Sequence, residues 1–159
     1  HLRRVAPALR QVKERREKLR AVIQPRFDFQ EMSKRSLGPY WNEATPAQRT
    51  EFVDVFSELL ARTYLGRIET VRTGMVKIDN EAVDFPKAVV KTTVTLKGDA
   101  FPIDYKLQST DGNWRVYDVV IENIGLVANY RNEFAGIIRK EKISGLISRL
   151  KDKVQTLQS

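Results

Sequence analysis

Apolar residues recur at the spacing of an α-helix in the first half of the chain. Between residues 46 and 66 they follow an i, i+3, i+4, i+7 series, which predicts a helix with one wide apolar face. Thr45 and Gln48 are spaced as a capping box at its start, and Gly66 is expected to end it. The apolar positions of this helix are Phe52, Val55, Phe56, Leu59, Leu60 and Tyr64.

Helical spacing also occurs on both sides of this segment. Residues 1–24 predict a basic N-terminal helix. Residues 25–66 are interpreted as helical, and Asp28 is placed to cap the first helix of that region. Residues 124–159 predict C-terminal helices, with a new amphipathic stretch after Lys140. Helices therefore flank the middle of the chain.

In residues 67–123 the pattern changes to the alternation of β-strands. Phe101, Ile103 and Tyr105 share one face of a strand, and Asp104 lies on the other. Runs rich in Val, Thr, Ile and Tyr are separated by short polar turns, which is typical of hairpins. The predicted strands lie near 67–78, 87–97, 101–110 and 113–123, with turns at Asp79-Asn80, Gly98-Asp99 and Asp111-Gly112.

This order of elements predicts one α+β domain over residues 1–159. A four-stranded antiparallel meander sheet is expected to carry the helices on one face. The chain has 159 residues, of which 42% are hydrophobic, values typical of a soluble globular domain with a core. Two helical faces and one sheet face converge between the layers. Core packing accounts for this by default, and an apolar pocket between the layers is the alternative.

The net charge of +8 is concentrated near the start of the chain. Residues 1–35 hold 11 Lys or Arg against 4 Asp or Glu, whereas residues 36–120 hold 10 against 12. A basic helix of this kind is attracted to nucleic acid or to anionic lipid headgroups, and it is also compatible with a merely solvated helix surface. A nucleic-acid-binding module that uses the N-terminal helix is therefore an alternative function.

Few residues suited to catalysis are present. There is no cysteine, and the single histidine, His1, begins the chain, so neither a catalytic triad nor a histidine metal cluster is expected. The remaining candidates are Asp104, Asp118 and Glu122 near the apolar strands, whose spacing favours surface or hydrogen-bonding roles over acid–base chemistry. An enzyme that uses Asp104 or Asp118 is therefore the lowest-ranked alternative, because no histidine partner is present, and no resident cofactor is expected.

Two segments resemble a known family, the MlaC or toluene-tolerance auxiliary proteins. The resemblance covers residues 20–155, and both blocks occur in the family's order. The first block contains Phe27-Asp28-Phe29, Leu37-Gly38, Tyr40-Trp41 and Gln48-Arg49. The second block, DGNWRVYDVVIENIGLVANYRNEF, matches through Gly112, Trp114, Tyr117-Asp118, Leu126, Asn129-Tyr130-Arg131 and Phe134.

The resemblance implies a periplasmic phospholipid carrier with a cystatin-like or NTF2-like fold. Its partners would be phospholipid, an outer-membrane lipoprotein complex and an inner-membrane ABC transporter complex with an MCE-domain protein, with transient contact to a membrane surface. A signal peptide would have been removed before His1, and phospholipid would be cargo rather than cofactor. With strand and helix periodicity, it predicts a lipid site formed by Leu60, Tyr64, Tyr105, Leu107, Tyr117, Val119, Ile121, Leu126, Tyr130 and Phe134.

Overall fold

A computed structural model of the chain describes residues 14, 17, 18, 20–69 and 75–157, except for the side chains of 65–69. A 3-10 turn at Gln24–Arg26 leads into the helices α1 (Phe29–Leu37), α2 (Tyr40–Glu43) and α3 (Pro46–Glu69). The strands are β1 (Val76–Asp84), β2 (Lys87–Leu96), β3 (Asp99–Thr110), β4 (Asn113–Ile121) and β5 (Ile124–Gly125), and the helix α4 (Leu126–Thr156) follows. The predicted α+β class is confirmed.

The starts of α1 and α3 form as the sequence predicts. The Asp28 carboxylate accepts a hydrogen bond from the Glu31 amide at 3.0 Å. At α3 the Gln48 amide donates to the Thr45 hydroxyl at 3.1 Å, and the Thr45 amide donates to the Gln48 side chain at 3.0 Å. These reciprocal bonds satisfy amides that a helix otherwise leaves unpaired. α3 continues past Gly66 to Glu69, so the prediction that Gly66 ends this helix is wrong.

The sheet is an antiparallel meander with strand order β1-β2-β3-β4-β5. The predicted positions of β2, β3 and β4 agree with the structure to within two residues. β5 was not predicted: it pairs only Val120 with Gly125 and Ile121 with Ile124. The sheet is therefore five-stranded, with the fifth strand a brief extension before α4.

The prediction for the first strand is wrong. Residues 67–69 belong to α3, and Asp79-Asn80, predicted as a turn, lie inside β1. The pairing with β2 shifts between Ile78 and Asn80, so Asp79 occupies a β-bulge. A bulge accommodates polar residues that otherwise signal a turn, and the chain instead reverses at Phe85-Pro86.

β1 is exposed along its whole length. Within the described ranges it pairs only with β2, which leaves its other edge free. The side chains of Ile78 and Val83 are exposed, although they share the face of the sheet on which the helices pack. The helices that the structure describes thus cover β2, β3 and β4 but leave most of β1 uncovered.

The best-buried part of the molecule lies between helices. Phe52 and Phe56 of α3 pack against Tyr130 and Phe134 of α4, with ring centroids 5.2–5.7 Å apart across the two helices. All three of these contacts are edge-to-face, an arrangement that aromatic rings favour. Met32 and Leu37 of α1 belong to the same core.

α4 is kinked at Lys142, whose backbone has φ 66° and ψ 179°. The kink falls close to Lys140, where the sequence predicts a new amphipathic stretch. It also brings the Glu141 side chain over Gly145: a Cβ at Gly145 would meet the Cβ of Glu141 at 2.5 Å. Glycine at 145 therefore permits the two halves of α4 to meet at this angle.

Arg131 links the two sequence blocks that carry the family resemblance. Its Nε donates to the Arg35 carbonyl at 2.8 Å, near the end of α1. On the way its side chain crosses Gly38, where a Cβ would meet the Arg131 Cδ at 3.4 Å. Gly38 has φ 58° and ψ −132°, a conformation that side chains disfavour.

Gly38→Ala is expected to lower the free energy of unfolding by about 1–3 kcal/mol, because the φ of 58° at this position strains a residue with a Cβ. Urea denaturation of the variant measures the effect. Gly136→Ala is the matched control: nothing lies within 4 Å of a Cβ there, the residue is inside α4, and a small stabilisation is expected. Equal effects at both positions would contradict this explanation.

Most of the predicted N-terminal helix lies outside the described residues. Residues 20–23 are helical, as are 14, 17 and 18. The basic cluster between residues 3 and 20 is described only at Lys18 and Arg20. Among the helices that the structure does describe, none has the length and apolar character needed to cross a membrane.

Candidate functional site

An apolar cavity of about 530 Å³ lies between the sheet and the helices. Its sheet wall is built from side chains that face each other across neighbouring strands. Val94 pairs with Phe101, and Tyr105 pairs with Val119. Because residues directly opposite each other share a face, the meander presents a continuous apolar surface. The full sheet wall consists of Val76, Val94, Leu96, Phe101, Ile103, Tyr105, Val119, Ile121 and Glu122.

The helical wall comes from four parts of the chain. The segment around the 3-10 turn crosses one side of the cavity and joins the sheet where Phe27 bridges to Val116 and the Asp28 amide donates to the Val116 carbonyl at 2.8 Å. α1, α3 and the first residue of α4 supply the rest. The helical wall consists of Arg20, Ile23, Gln24, Phe27, Phe29, Met32, Ser57, Glu58, Leu60, Ala61, Tyr64 and Leu126.

The structure places six of the ten predicted lipid-site residues in the cavity wall. These are Leu60, Tyr64, Tyr105, Val119, Ile121 and Leu126. Contact of these residues with a lipid stays a prediction. The four others were predicted to line the cavity, but they are not part of its wall: Leu107, Tyr117, Tyr130 and Phe134.

The two strand residues are displaced by local features of the sheet. Lys106 pairs with Asp118, but Leu107 pairs with Val116, so Tyr117 is the extra residue of a β-bulge. The bulge turns the Tyr117 ring beneath α1, where the Arg35 guanidinium lies 4.3 Å from its centroid. Leu107 is level with Val116, where Phe27 meets the sheet and the cavity ends.

The two α4 residues are one layer behind the wall. Phe134 is only 1% exposed and contacts Phe52 and Phe56 in the interhelical core. Tyr130 packs on Phe56, with its hydroxyl beside that of Tyr64, a residue of the cavity wall. Burial and the neighbouring Tyr64 hydroxyl raise the pKa of Tyr130. Both residues support the wall without forming it.

Several wall residues were missed by the sequence prediction. Phe101 and Ile103 share the alternation that identified Tyr105, and this signal was sufficient to find them. Phe27 and Phe29 carry a weaker signal: they flank Asp28, whose capping bond fixes the direction in which the chain enters α1. Ile23 follows the helical spacing of apolar residues in the N-terminal segment, but this spacing does not show that the residue lies in the cavity wall.

Arg20 and Glu58 are partly exposed charged residues of the cavity wall, and Arg62 joins them in a cluster. Two guanidinium nitrogens of Arg20 donate to the two Glu58 carboxylate oxygens at 3.1 and 3.2 Å. Arg62 Nε donates to the same carboxylate at 2.7 Å, and its Nη1 donates to the Val154 carbonyl at 2.9 Å. The side chains of Arg20, Glu58 and Arg62 are 36%, 31% and 32% exposed. We call these three residues the rim cluster; its formal charge is +1.

The rim cluster sets the ionisation of Glu58. Partial burial on its own raises the pKa of this carboxyl, but the hydrogen bonds and charges of Arg62 and Arg20 outweigh it and hold the pKa below the ordinary 4.5. A depressed folded-state pKa means that the pairing contributes its full stability above the ordinary pKa. That contribution is lost as the pH falls through the lower, folded-state pKa.

Glu58→Gln is accordingly expected to flatten the decline of stability in acid, since the variant has no carboxylate to protonate at the rim cluster. Unfolding free energies from urea titrations between about pH 6 and pH 3 measure this. Glu43→Gln, which changes an exposed carboxyl at the end of α2, is the control. If the unfolding free energy of Glu58→Gln fell as steeply with decreasing pH as that of the unmodified chain, the lowered pKa would not belong to Glu58.

The three candidate carboxylates have separate positions. Asp118 accepts hydrogen bonds from the Val127 amide at 3.1 Å and the Val119 amide at 2.8 Å, so it caps the first turn of α4. Asp104 pairs with Lys91, on the sheet face away from the cavity. Glu122 borders the cavity at the end of β4. The geometry gives Asp118 a structural role and does not bring the three together.

Comparisons with known proteins agree on one family. The family model of the MlaC protein matches residues 4–152. The chain is 26% identical to toluene tolerance protein ttg2D of Pseudomonas putida over 125 residues, which are 77% of this chain. It is 21% identical over 142 residues, 83% of the chain, to the intermembrane phospholipid transport system binding protein MlaC of Haemophilus influenzae.

A solved structure is similar over most of its length. It is the phospholipid-binding protein of Ralstonia solanacearum in complex with a phospholipid, with a TM-score of 0.82 and 32% sequence identity. The match covers 91% of this chain and 83% of that one. The matches span 58% and 66% of the lengths of the Pseudomonas and Haemophilus relatives. Since the family model matches nearly the whole sequence, the chain belongs to the MlaC family.

Proposed function

We propose that this chain is a phospholipid carrier that holds acyl chains in the cavity between sheet and helices and leaves the headgroup at the rim cluster. The observation that supports this most directly is the cavity itself: about 530 Å³, lined mainly by apolar side chains, with charged residues where it meets solvent. A hydrocarbon chain fits such a lining, and a polar substrate finds few partners in it.

Burial of the acyl chains supplies the energy for carriage. Each buried methylene contributes about 0.8 kcal/mol, so two chains with about 30 methylenes represent up to about 24 kcal/mol of exposure to water that a protein wall prevents. No chemical step is required for this task, and a binding protein rather than an enzyme is proposed. One domain carries the whole function.

The family relationship supports a place for the carrier in the periplasm. We propose that it moves phospholipid between an outer-membrane lipoprotein complex and an inner-membrane MCE-domain and ABC transporter complex, touching a membrane surface only transiently. The Haemophilus relative is named as the binding protein of an intermembrane phospholipid transport system. The basic start of the chain suits an encounter with anionic surfaces.

Mass spectrometry of an organic extract of the purified protein tests the proposal. Phospholipid in stoichiometric amount is the expected result, and an unrelated protein purified in the same way is the control. Absence of lipid, together with failure of the protein to take up lipid from vesicles, would contradict it. A gel shift at moderate salt tests the nucleic-acid alternative, which tight binding would favour.

A further inference from the structure

Among the described residues of the cavity wall, Arg20 is the one with a positively charged side chain. It precedes the 3-10 turn and reaches across to Glu58 on α3, 38 residues away in sequence. Being about a third exposed, its guanidinium group stands at the boundary between the apolar interior and water. A phospholipid whose chains filled the cavity would place its phosphate at a boundary of this kind.

The guanidinium group of Arg20 forms a bidentate salt bridge with the Glu58 carboxylate. Planar guanidinium groups bind carboxylates and phosphates in the same geometry, through two parallel N–H···O bonds. A carboxylate in this position therefore occupies the place that two phosphate oxygens would take. The pair with Glu58 shows that Arg20 holds an anionic group of this geometry at the cavity wall.

Arg20 is not the only partner of this carboxylate. The Arg20 bonds, at 3.1 and 3.2 Å, are longer than the 2.7–2.9 Å usual for charged N–H···O pairs, whereas the Arg62 bond is 2.7 Å. If Arg20 turned away, Glu58 would keep Arg62 and would not be left unpaired. Exchange of one anion for another at Arg20 thus exposes no buried, unsatisfied charge.

We propose that Arg20 binds the phosphodiester group of the carried lipid, and that Glu58 occupies this position while the cavity is empty. The inference rests on the proposed function and names the part of the lipid that is recognised. The phosphate is common to all phospholipids, and the rest of the headgroup extends into solvent. The carrier therefore distinguishes phospholipids from lipids without phosphate, while different phospholipid headgroups bind alike.

Lipid binding by the delipidated protein tests this with two probes, a phosphatidylglycerol and a diacylglycerol with the same acyl chains. Arg20→Ala is expected to weaken binding of the phospholipid about tenfold, the factor that corresponds to 1.4 kcal/mol, and to leave diacylglycerol binding unchanged. Arg20→Lys keeps the positive charge but cannot form the bidentate hydrogen bonds of a guanidinium group, so it should weaken phospholipid binding less than Arg20→Ala does. Lys18→Ala removes the same charge from the same segment, away from the wall, and should change neither.

Three results would overturn the proposal: equal losses for both lipids in Arg20→Ala, no loss for either, or the same loss in Lys18→Ala. Glu58→Gln removes the competing charge and should strengthen phospholipid binding, so weaker binding would contradict the exchange. Millimolar inorganic phosphate should not displace the phospholipid, because it lacks acyl chains. Efficient displacement would assign Arg20 to free phosphate instead. If the unmodified protein and all variants bound neither lipid, the proposed function itself would be contradicted.

Discussion

Val119→Glu is expected to yield a folded protein that no longer co-purifies with phospholipid. Val119 is 8% exposed and lines the cavity opposite Tyr105. A glutamate in a close-packed core would leave a buried, unpaired charge and would unfold a domain of ordinary stability. Beside a cavity, the same carboxylate has room to be hydrated. An acyl chain would then have to displace that water, at a cost of about 3 kcal/mol or roughly a hundredfold in affinity.

Circular dichroism and lipid extraction on the same preparation measure both parts of this result. Val89→Glu is the matched control, since Val89 lies on the opposite face of the sheet, where it pairs with Lys106. The control should fold and retain its lipid. A folded Val119→Glu protein with full lipid content would remove Val119 from the site, and an unfolded one would show that it belongs to the core.

Phe134→Ala is expected to have the opposite pattern, a large loss of stability with lipid binding retained by the folded molecules. The side chain is fully enclosed by Phe52, Phe56 and Tyr130, so its removal leaves a cavity in the interhelical core. Such truncations cost about 3–5 kcal/mol. Urea denaturation measures the loss, and lipid titration at low temperature measures binding.

Ile103→Ala provides the contrast, because Ile103 already borders the empty space of the cavity. A smaller loss of stability than for Phe134→Ala and weaker lipid binding are expected. If Phe134→Ala instead weakened lipid binding in fully folded protein and left stability intact, its ring would have to contact the lipid, as the sequence pattern had suggested.

Features that depend on neighbouring residues were predictable from the sequence. The caps at Asp28 and Thr45 form because a side-chain oxygen reaches an amide three residues on, whatever the rest of the chain does. β2, β3 and β4 follow from alternation, with the turn at Asp111-Gly112 as expected. A hydrogen bond between a side-chain oxygen and a backbone amide so close in sequence can be predicted without knowledge of the fold.

Features that depend on contacts between residues far apart in the chain were not predictable from the sequence. Alternation assigns Tyr117 to the cavity face only if β4 is regular, and the pairing with β3 introduces a bulge there. Helical spacing shows that Tyr130 and Phe134 are buried, but it does not distinguish a neighbouring helix from a lipid cavity. Phe27 enters the wall through its bridge to Val116, a contact between residues 89 positions apart that no local pattern encodes.

The free edge of β1 has a consequence for the behaviour of the protein at high concentration. A strand edge without a partner is a template on which other chains add strands and aggregate. Among the described residues, none pairs with the outer edge of the nine-residue β1. Here the bulge at Asp79 interrupts the row of backbone donors and acceptors, and Lys77 and Glu81 place charges among the apolar side chains. Each of these devices disfavours strand addition. Deletion of Asp79 would regularise the edge, and we expect the variant to form fibrils or precipitate at concentrations at which the unmodified chain does not, as measured by light scattering.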